Sequence, residues 1–246
     1  MAGHSKWAKV KHFKGAIDAK RGKIFSKLAR EISLAAKTGG DPDMNPRLRM
    51  VLLKCRAANM PNDNVERAIK KGTGGGEGAD FEELTYEIYG PNGVALLVEI
   101  STDNRNRTAS EIRSLVTKNG ASIATPGSVS RLFHRKGQII IAREAVGEDR
   151  LMELALEAGA EDFKSDPQGY EIVTEPGDFE VVHRQLEAQA IKCAVAEVTS
   201  LPTVTVPIHD GAAVAAVNKL IDALEEHDDV KEVYSNAEFP EDAVSP

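Results

Sequence analysis

The residues of this chain that could do chemistry are mostly cations. Lys6, Lys9, Lys11 and Lys14 surround Trp7, the single tryptophan. An aromatic ring among lysines can stack on an unpaired base while the lysines hold phosphate. The same ring can instead staple a basic arm onto a hydrophobic core. His4 and His12 lie in that arm without a nearby carboxylate or cysteine, so they read as donors for phosphate, not metal ligands. A second candidate is Thr102-Asp103-Asn104-Arg105-Asn106-Arg107-Thr108, which joins a predicted strand to a predicted helix. Free N–H groups at a helix start favour an anion, and Arg105 and Arg107 add planar donors suited to phosphate or carboxylate. The alternative is a structural turn, with Asn and Asp capping the helix and the arginines paired to acids. Both readings stay open on the sequence.

Catalytic constellations are thin. The glycine-rich run Gly72–Gly78 follows a predicted helix, has Glu77 where a GxGxxG beginning at Gly72 needs glycine, and contains no GK[ST]. It reads as a flexible linker. Asp41 and Asp43 look like turn residues. The acids Glu225, Glu226, Asp228 and Asp229 around His227 look like a solvated helix end. Cys55 and Cys193 are too far apart for a metal knuckle, and Cys193 reads as core filling. GxSxG, HExxH and paired-carboxylate motifs are absent. The expectation is a non-enzymatic protein with no catalytic residue, no metal and no cofactor.

Charge supplies the stronger signal. The 246 residues carry a formal net charge of −7, but residues 1–71 hold 17 Lys and Arg against 6 Asp and Glu. That segment is therefore +11 and the remainder −18. Such asymmetry points to a basic module for polyanions joined to an acidic body. Expected nucleic-acid contacts are Lys6, Trp7, Lys9, Lys11, His12, Lys14, Lys20, Arg21, Lys23, Lys27 and Arg30. Arg47, Arg49, Lys54 and Arg56, then Arg67, Lys70 and Lys71, extend the footprint. The acidic body is expected to orient the protein or meet basic protein surfaces. The start of the chain shows no apolar signal core, and no run approaches the roughly 20 apolar residues of a membrane span. A cytoplasmic protein without membrane partners is expected.

The elements that must position these groups follow from periodicity. Ile24, Leu28 and Ile32 make one face of a helix over about 16–37, with Lys20, Lys23, Lys27 and Arg30 opposite. Asn45-Pro46 opens a second helix through about Ala58, and Asn62 or Asp63 caps a third that ends at Gly72. Beyond the linker, Leu84–Tyr89 and Val94–Ile100 form a hairpin across Gly90–Gly93. A helix runs over Thr108–Lys118, with Thr108 and Glu111 in capping-box spacing. Val129–His134 and Gln138–Ala142 read as two strands. From Gln138 to Val198 the order is βαββαβ, the ferredoxin-like arrangement. A short strand near Val204–Pro207, a helix over Ala212–Leu224 and a strand over Val230–Tyr234 complete an α+β fold.

The strings MAGHSKWAKVKH, DAKRGKIFSKLAREI, GGDPDMNPRLRMVL, AANMPNDNVERAIKKGTGGGEGA and TDNRNRT occur in order along nearly the whole chain. They resemble the YebC/PmpR family, whose mitochondrial relatives include a translational activator of cytochrome c oxidase. The resemblance implies three domains, with the third inserted in the second. Here these would be 1–76, then 80–136 with 201–246, and 137–200 as the insertion. It also implies a nucleic-acid-binding regulator of gene expression. Ribosome and rRNA association that relieves stalling on proline-rich stretches is the favoured expectation. DNA-bound transcriptional control is the alternative. The oligomeric state is left open.

Overall fold

The computed structural model describes residues 21–74 and 81–239. They fall into two compact units, one made of 133–201 and the other of the flanking segments on either side.

In the flanking unit, three helices come first: α1 (Arg21–Ala36), α2 (Pro46–Ala57) and α3 (Asn62–Gly72). Leu28, Ile32 and Ala35 pack on Leu48, Val51, Cys55 and Ala68, as the apolar spacing requires. Asn45 caps α2 as expected: its Oδ1 accepts from the Leu48 N–H at 3.0 Å. Its Nδ2 donates to the carbonyls of Ala35 and Gly39 at 2.8 and 2.7 Å, so one buried amide fixes the end of α1 and the start of α2. The third helix differs from expectation. Pro61, extended at φ −60 and ψ 139, holds the N-cap position without a side-chain cap, and Asn62 is already helical. Gly72 lets α3 close on α1, since an added Cβ would overlap the Ser33 carbonyl oxygen and lie 2.7 Å from Ala36 Cβ.

The chain continues through β1 (Glu82–Tyr89), β2 (Ala95–Thr102), α4 (Arg105–Lys118) and β3 (Ser122–Ile123). Asn92 and Gly93, at φ 59 and 76, make the left-handed turn between β1 and β2. The helix α4 starts three residues before the expected position. Asn104, extended at φ −147, accepts from the Arg107 N–H at 3.1 Å, which puts Thr108 inside the helix and removes the proposed capping box.

The other unit is β4 (Phe133–Ala142), α5 (Glu148–Glu157), β5 (Asp162–Asp166), β6 (Gly169–Thr174), α6 (Phe179–Ala188) and β7 (Val195–Pro202). Its sheet order, β5-β6-β4-β7, is the ferredoxin-like one anticipated from the sequence. Ile139, Ile141 and Ile172 are buried with Leu151 and Phe179. The two strands expected across 129–142 are one. The Glu87 carboxylate accepts from the N–H groups of Gly127, Val129 and Ser130, holding that backbone in a turn until Phe133. Gly137 does not break the strand either; a Cβ there would overlap Thr174 and lie 2.8 Å from Phe179.

The chain then returns to the flanking unit with β8 (Val206–Pro207), α7 (Gly211–Glu225), β9 (Val230–Ser235) and β10 (Ala237–Glu238). The Thr203 N–H donates to the Leu132 carbonyl at 2.9 Å, joining the points of departure and return. The antiparallel sheet β3-β1-β2-β9 sits under α4 and α7. Ile88, Leu96, Val98 and Ile100 pack there on Ile112, Val116, Val217 and Leu220. This core and that of the three helices share no residue. The short strands β3 and β10 were not anticipated; two-residue strands carry no readable period.

Candidate nucleic-acid interface

Lys6, Trp7, Lys9, Lys11, His12, Lys14 and Lys20 lie outside the described residues, as does the side chain of Arg21. The rest of the α1 stripe forms, and its partners are the protein's own. Lys23 Nζ donates to the Glu226 carbonyl at 2.9 Å and lies 3.4 Å from the Asp228 carboxylate. Lys27 Nζ donates to the Glu225 carbonyl at 2.6 Å. Arg30 reaches the Asp228 carbonyl at 2.7 Å and Asp229 Oδ1 at 3.2 Å. The C-terminus of α7 leaves carbonyls without intrahelical partners and carries the negative end of the helix dipole, so cations settle there. Burial pulls the Lys27 ammonium below its usual range, against the nearby Glu225 and Glu232 charges.

On α2, Arg47 pairs with Glu83 at 2.5 Å, and Lys54 lies 3.1 Å from Glu232 and 3.8 Å from Glu31. Arg49 donates to the carbonyls of Pro42 and Asp43 at 2.7 and 2.8 Å. Burial raises the Glu31 carboxyl above its usual range, although the Lys54 charge works the other way. Arg56 is exposed. On α3, Arg67, Lys70 and Lys71 are exposed at helical spacing along one stripe. Among the described residues, Arg67 bonds within its own helix, to the Asp63 carbonyl and the Asn64 side chain. Lys71 Nζ lies 5.3 Å from the centre of the Phe81 ring, which Arg30 also approaches at 5.4 Å.

The turn 102–108 is built around Asp229, a residue only 4% exposed. Its Oδ2 accepts from Thr108 Oγ1 at 2.7 Å, Arg107 Nη2 at 2.9 Å and Thr102 Oγ1 at 3.2 Å. Arg107 also holds Asp103 at 2.8 Å. Burial alone would raise the Asp229 carboxyl. The hydrogen bonds from Thr108 and Arg107, the Arg107 charge and Thr102 outweigh it and hold the group below the usual aspartate range. The same contacts raise the Arg107 guanidinium. Arg105 stands apart, 3.6 Å from Glu82 with its side chain mostly exposed. Arg107 is thus engaged with Asp229 and Asp103 although its side chain is 44% exposed, and Arg105 is the more exposed of the two.

Asp229 itself was misread as part of a solvated helix end. The available signal was its position just before Val230, the first residue of a strand that is buried there. His227 Nδ1 accepts the Asp229 N–H at 3.1 Å and its Nε2 lies 3.0 Å from Glu111. Glu111, His227 and Asp229 bring one ligand atom each within 4.8 Å of one another, but the Asp229 oxygens already have the partners just named. Asp41 is a turn residue, its Oδ1 accepting from the Asp43 N–H at 2.9 Å. Burial pushes the thiols of both Cys55 and Cys193 up to about 12, leaving them protonated and inert near neutral pH. Among the described residues, no helix is long and apolar enough to cross a membrane.

Comparison with known proteins places the chain. Residues 5–75 match the family model for the TACO1/YebC protein N-terminal domain, and residues 81–237 that for the TACO1/YebC second and third domain. A protein of Halothermothrix orenii named "probable transcriptional regulatory protein" is 52% identical over 247 residues, covering 99% of this chain and 98% of its own. One of the same name from Treponema pallidum is 52% identical over 245 residues, covering 99% and 100%. The crystal structure of a conserved hypothetical protein, Aq1575, from Aquifex aeolicus superposes with a TM-score of 0.81 at 47% identity, covering 92% of this chain and 93% of that one. With both of its parts matched in order and relatives sharing half its residues end to end, this chain belongs to the TACO1/YebC family.

Proposed function

We propose that this protein is a nucleic-acid-binding regulator of gene expression that acts by binding, not by catalysis. The observation that carries the reading is the concentration of 17 lysines and arginines in residues 1–71. After the acidic body has taken up Lys23, Lys27, Arg30, Arg47 and Lys54, the Arg67–Lys70–Lys71 stripe and Arg56 still face outward. These residues, with Lys6, Trp7, Lys9, Lys11, His12, Lys14, Lys20 and Arg21 of the basic arm, form the phosphate-contacting set. The names carried by the two relatives support control of transcription, with DNA as the partner.

A second reading, ribosomal RNA and translation through proline-rich stretches, is favoured by one observation. The helix best suited to read a DNA groove, α2, has Arg47, Arg49 and Lys54 bonded within the chain. What remains outward suits phosphate contact more than base reading. Salt titration of binding by the full chain tests the shared reading. Replacing Arg67, Lys70 and Lys71 by Ala should flatten the slope of log K against log salt by about 0.9 per lost contact on duplex DNA and about 0.7 on single strands. An unchanged slope would move the contacts elsewhere. Crosslinking in cells then separates the partners: recovery of promoter DNA supports transcription, and recovery of ribosomal RNA supports translation.

A further inference from the structure

The acidic end of α7 holds three cations of α1 as a phosphate backbone would hold them. Lys23 and Lys27 take the carbonyl oxygens of Glu226 and Glu225, and Arg30 takes a carbonyl and a carboxylate from Asp228 and Asp229. Positions 23, 27 and 30 share one helix face, the spacing at which a helix presents cations to successive phosphates. Other contacts between the three helices and the α/β part are also ionic: Arg47 to Glu83 and Lys54 to Glu232. The hydrophobic cores on either side share no residue. The exposed pairs of this seam, Lys23–Asp228 and Arg47–Glu83, are weak and screened by salt, and a polar interface without a shared hydrophobic core permits relative motion. The cations that close the seam belong to the most basic stretch of the sequence, where an incoming polyanion concentrates.

We propose that the segment Glu225–Asp229 is a built-in competitor for nucleic acid. It occupies the phosphate-binding face of α1, and a nucleic-acid backbone that takes Lys23, Lys27 and Arg30 displaces it and frees the three helices from the acidic α/β part. The proposal rests on the nucleic-acid reading above. The apparent affinity is then lowered by the fraction of molecules in which the seam is closed. Weakening the competitor tightens binding without adding a contact.

A zero-length carbodiimide coupling on the full chain tests it, because Lys23 Nζ and the Asp228 carboxylate lie 3.4 Å apart. The Lys23–Asp228 amide is measured by peptide mass mapping, with and without saturating short single-stranded RNA or duplex DNA at low salt. Lys136–Glu161, 2.6 Å apart in the other unit, is the internal reference. Nucleic acid should cut the Lys23–Asp228 yield by about fivefold or more and spare the reference, as a shift from closed to open requires. Asp228 is largely exposed, so Asp228→Asn keeps the fold. That variant should bind about three- to tenfold tighter, while Glu157→Gln, which removes an exposed acid of the other unit, stays within about twofold of the parent protein. Saturated binding with an unchanged Lys23–Asp228 yield, or equal gains from both variants, overturns the competitor and leaves the nucleic-acid reading standing. Absence of binding by both the parent protein and Asp228→Asn overturns that reading, and the competitor with it.

Discussion

Three side chains from one turn and an arginine from a distant helix converge on Asp229, which sits just before a strand whose first residue, Val230, is buried. Replacing it by Ala takes away the carboxylate shared by Arg107, Arg30 and the two buried threonine hydroxyls, which keep only each other and the Asn104 carbonyl. The loss should cost about 2–4 kcal/mol in urea unfolding. Its lowered folded-state pKa adds a pH signature. The stabilisation is complete above the unfolded value of 3.8 and is lost as pH falls through the depressed folded value, so Asp229→Ala should flatten the acid limb of the stability curve. An acid limb unchanged from that of the parent protein would place the linkage in other carboxylates. The turn 102–108 was legible as a strand-to-helix junction, because Asn and Thr there are cap residues by type. Its partner was not, since Asp229 lies 121 residues beyond Thr108 and nothing in a linear string pairs the two.

Local signals read well wherever one residue decides the backbone. Asn45 before Pro46 and Asn92-Gly93 each fix a boundary by their own chemistry, and both elements formed where their signals stood. Signals failed where a tertiary neighbour decided. Gly137 looks like a break in a strand and is an accommodation for Thr174 and Phe179 across the sheet. Gly72 was legible as a helix end, but its closeness to Ser33 and Ala36 was not. Gly72→Ala should therefore destabilise the helical core by about 1–3 kcal/mol, the usual cost of overpacking, read as a lower thermal midpoint by circular dichroism. Asn45→Ala should cost about 1–2 kcal/mol from the lost cap, with further loss from the two Nδ2 bonds to the Gly39 and Ala35 carbonyls, although Thr38 Oγ1 still donates to the latter. A neutral Gly72→Ala would mean that α1 and α3 separate without penalty.

Across the whole molecule, the partition of charge was plain in the sequence, but the direction in which the cations point was not. A helical stripe of lysines looks the same whether it faces solvent or an acidic neighbour far along the chain. The acidic residues near His227 pose a related question about metals. Exhaustive chelation should leave the thermal midpoint and the binding of the full chain unchanged. A drop in the midpoint restored by a divalent ion would assign Glu111, His227 and Asp229 a ligand role.

The hydrogen bond from Thr203 to Leu132 has a consequence for chain statistics. To the flanking unit, residues 133–201 amount to one long loop of 69 residues whose ends are already tied. The entropy of closing such a loop changes by only about 0.6 kcal/mol for each doubling of its length. Excising 133–201 and bridging Leu132 to Pro202 with a few glycines and serines should leave the flanking unit folded, with its own cooperative transition in differential scanning calorimetry. An unfolded remnant would show that the insertion supplies more than length. The host then sees the whole ferredoxin-like cassette as a knot-free detour, one that could be lengthened, shortened or exchanged while the rest of the chain keeps its register.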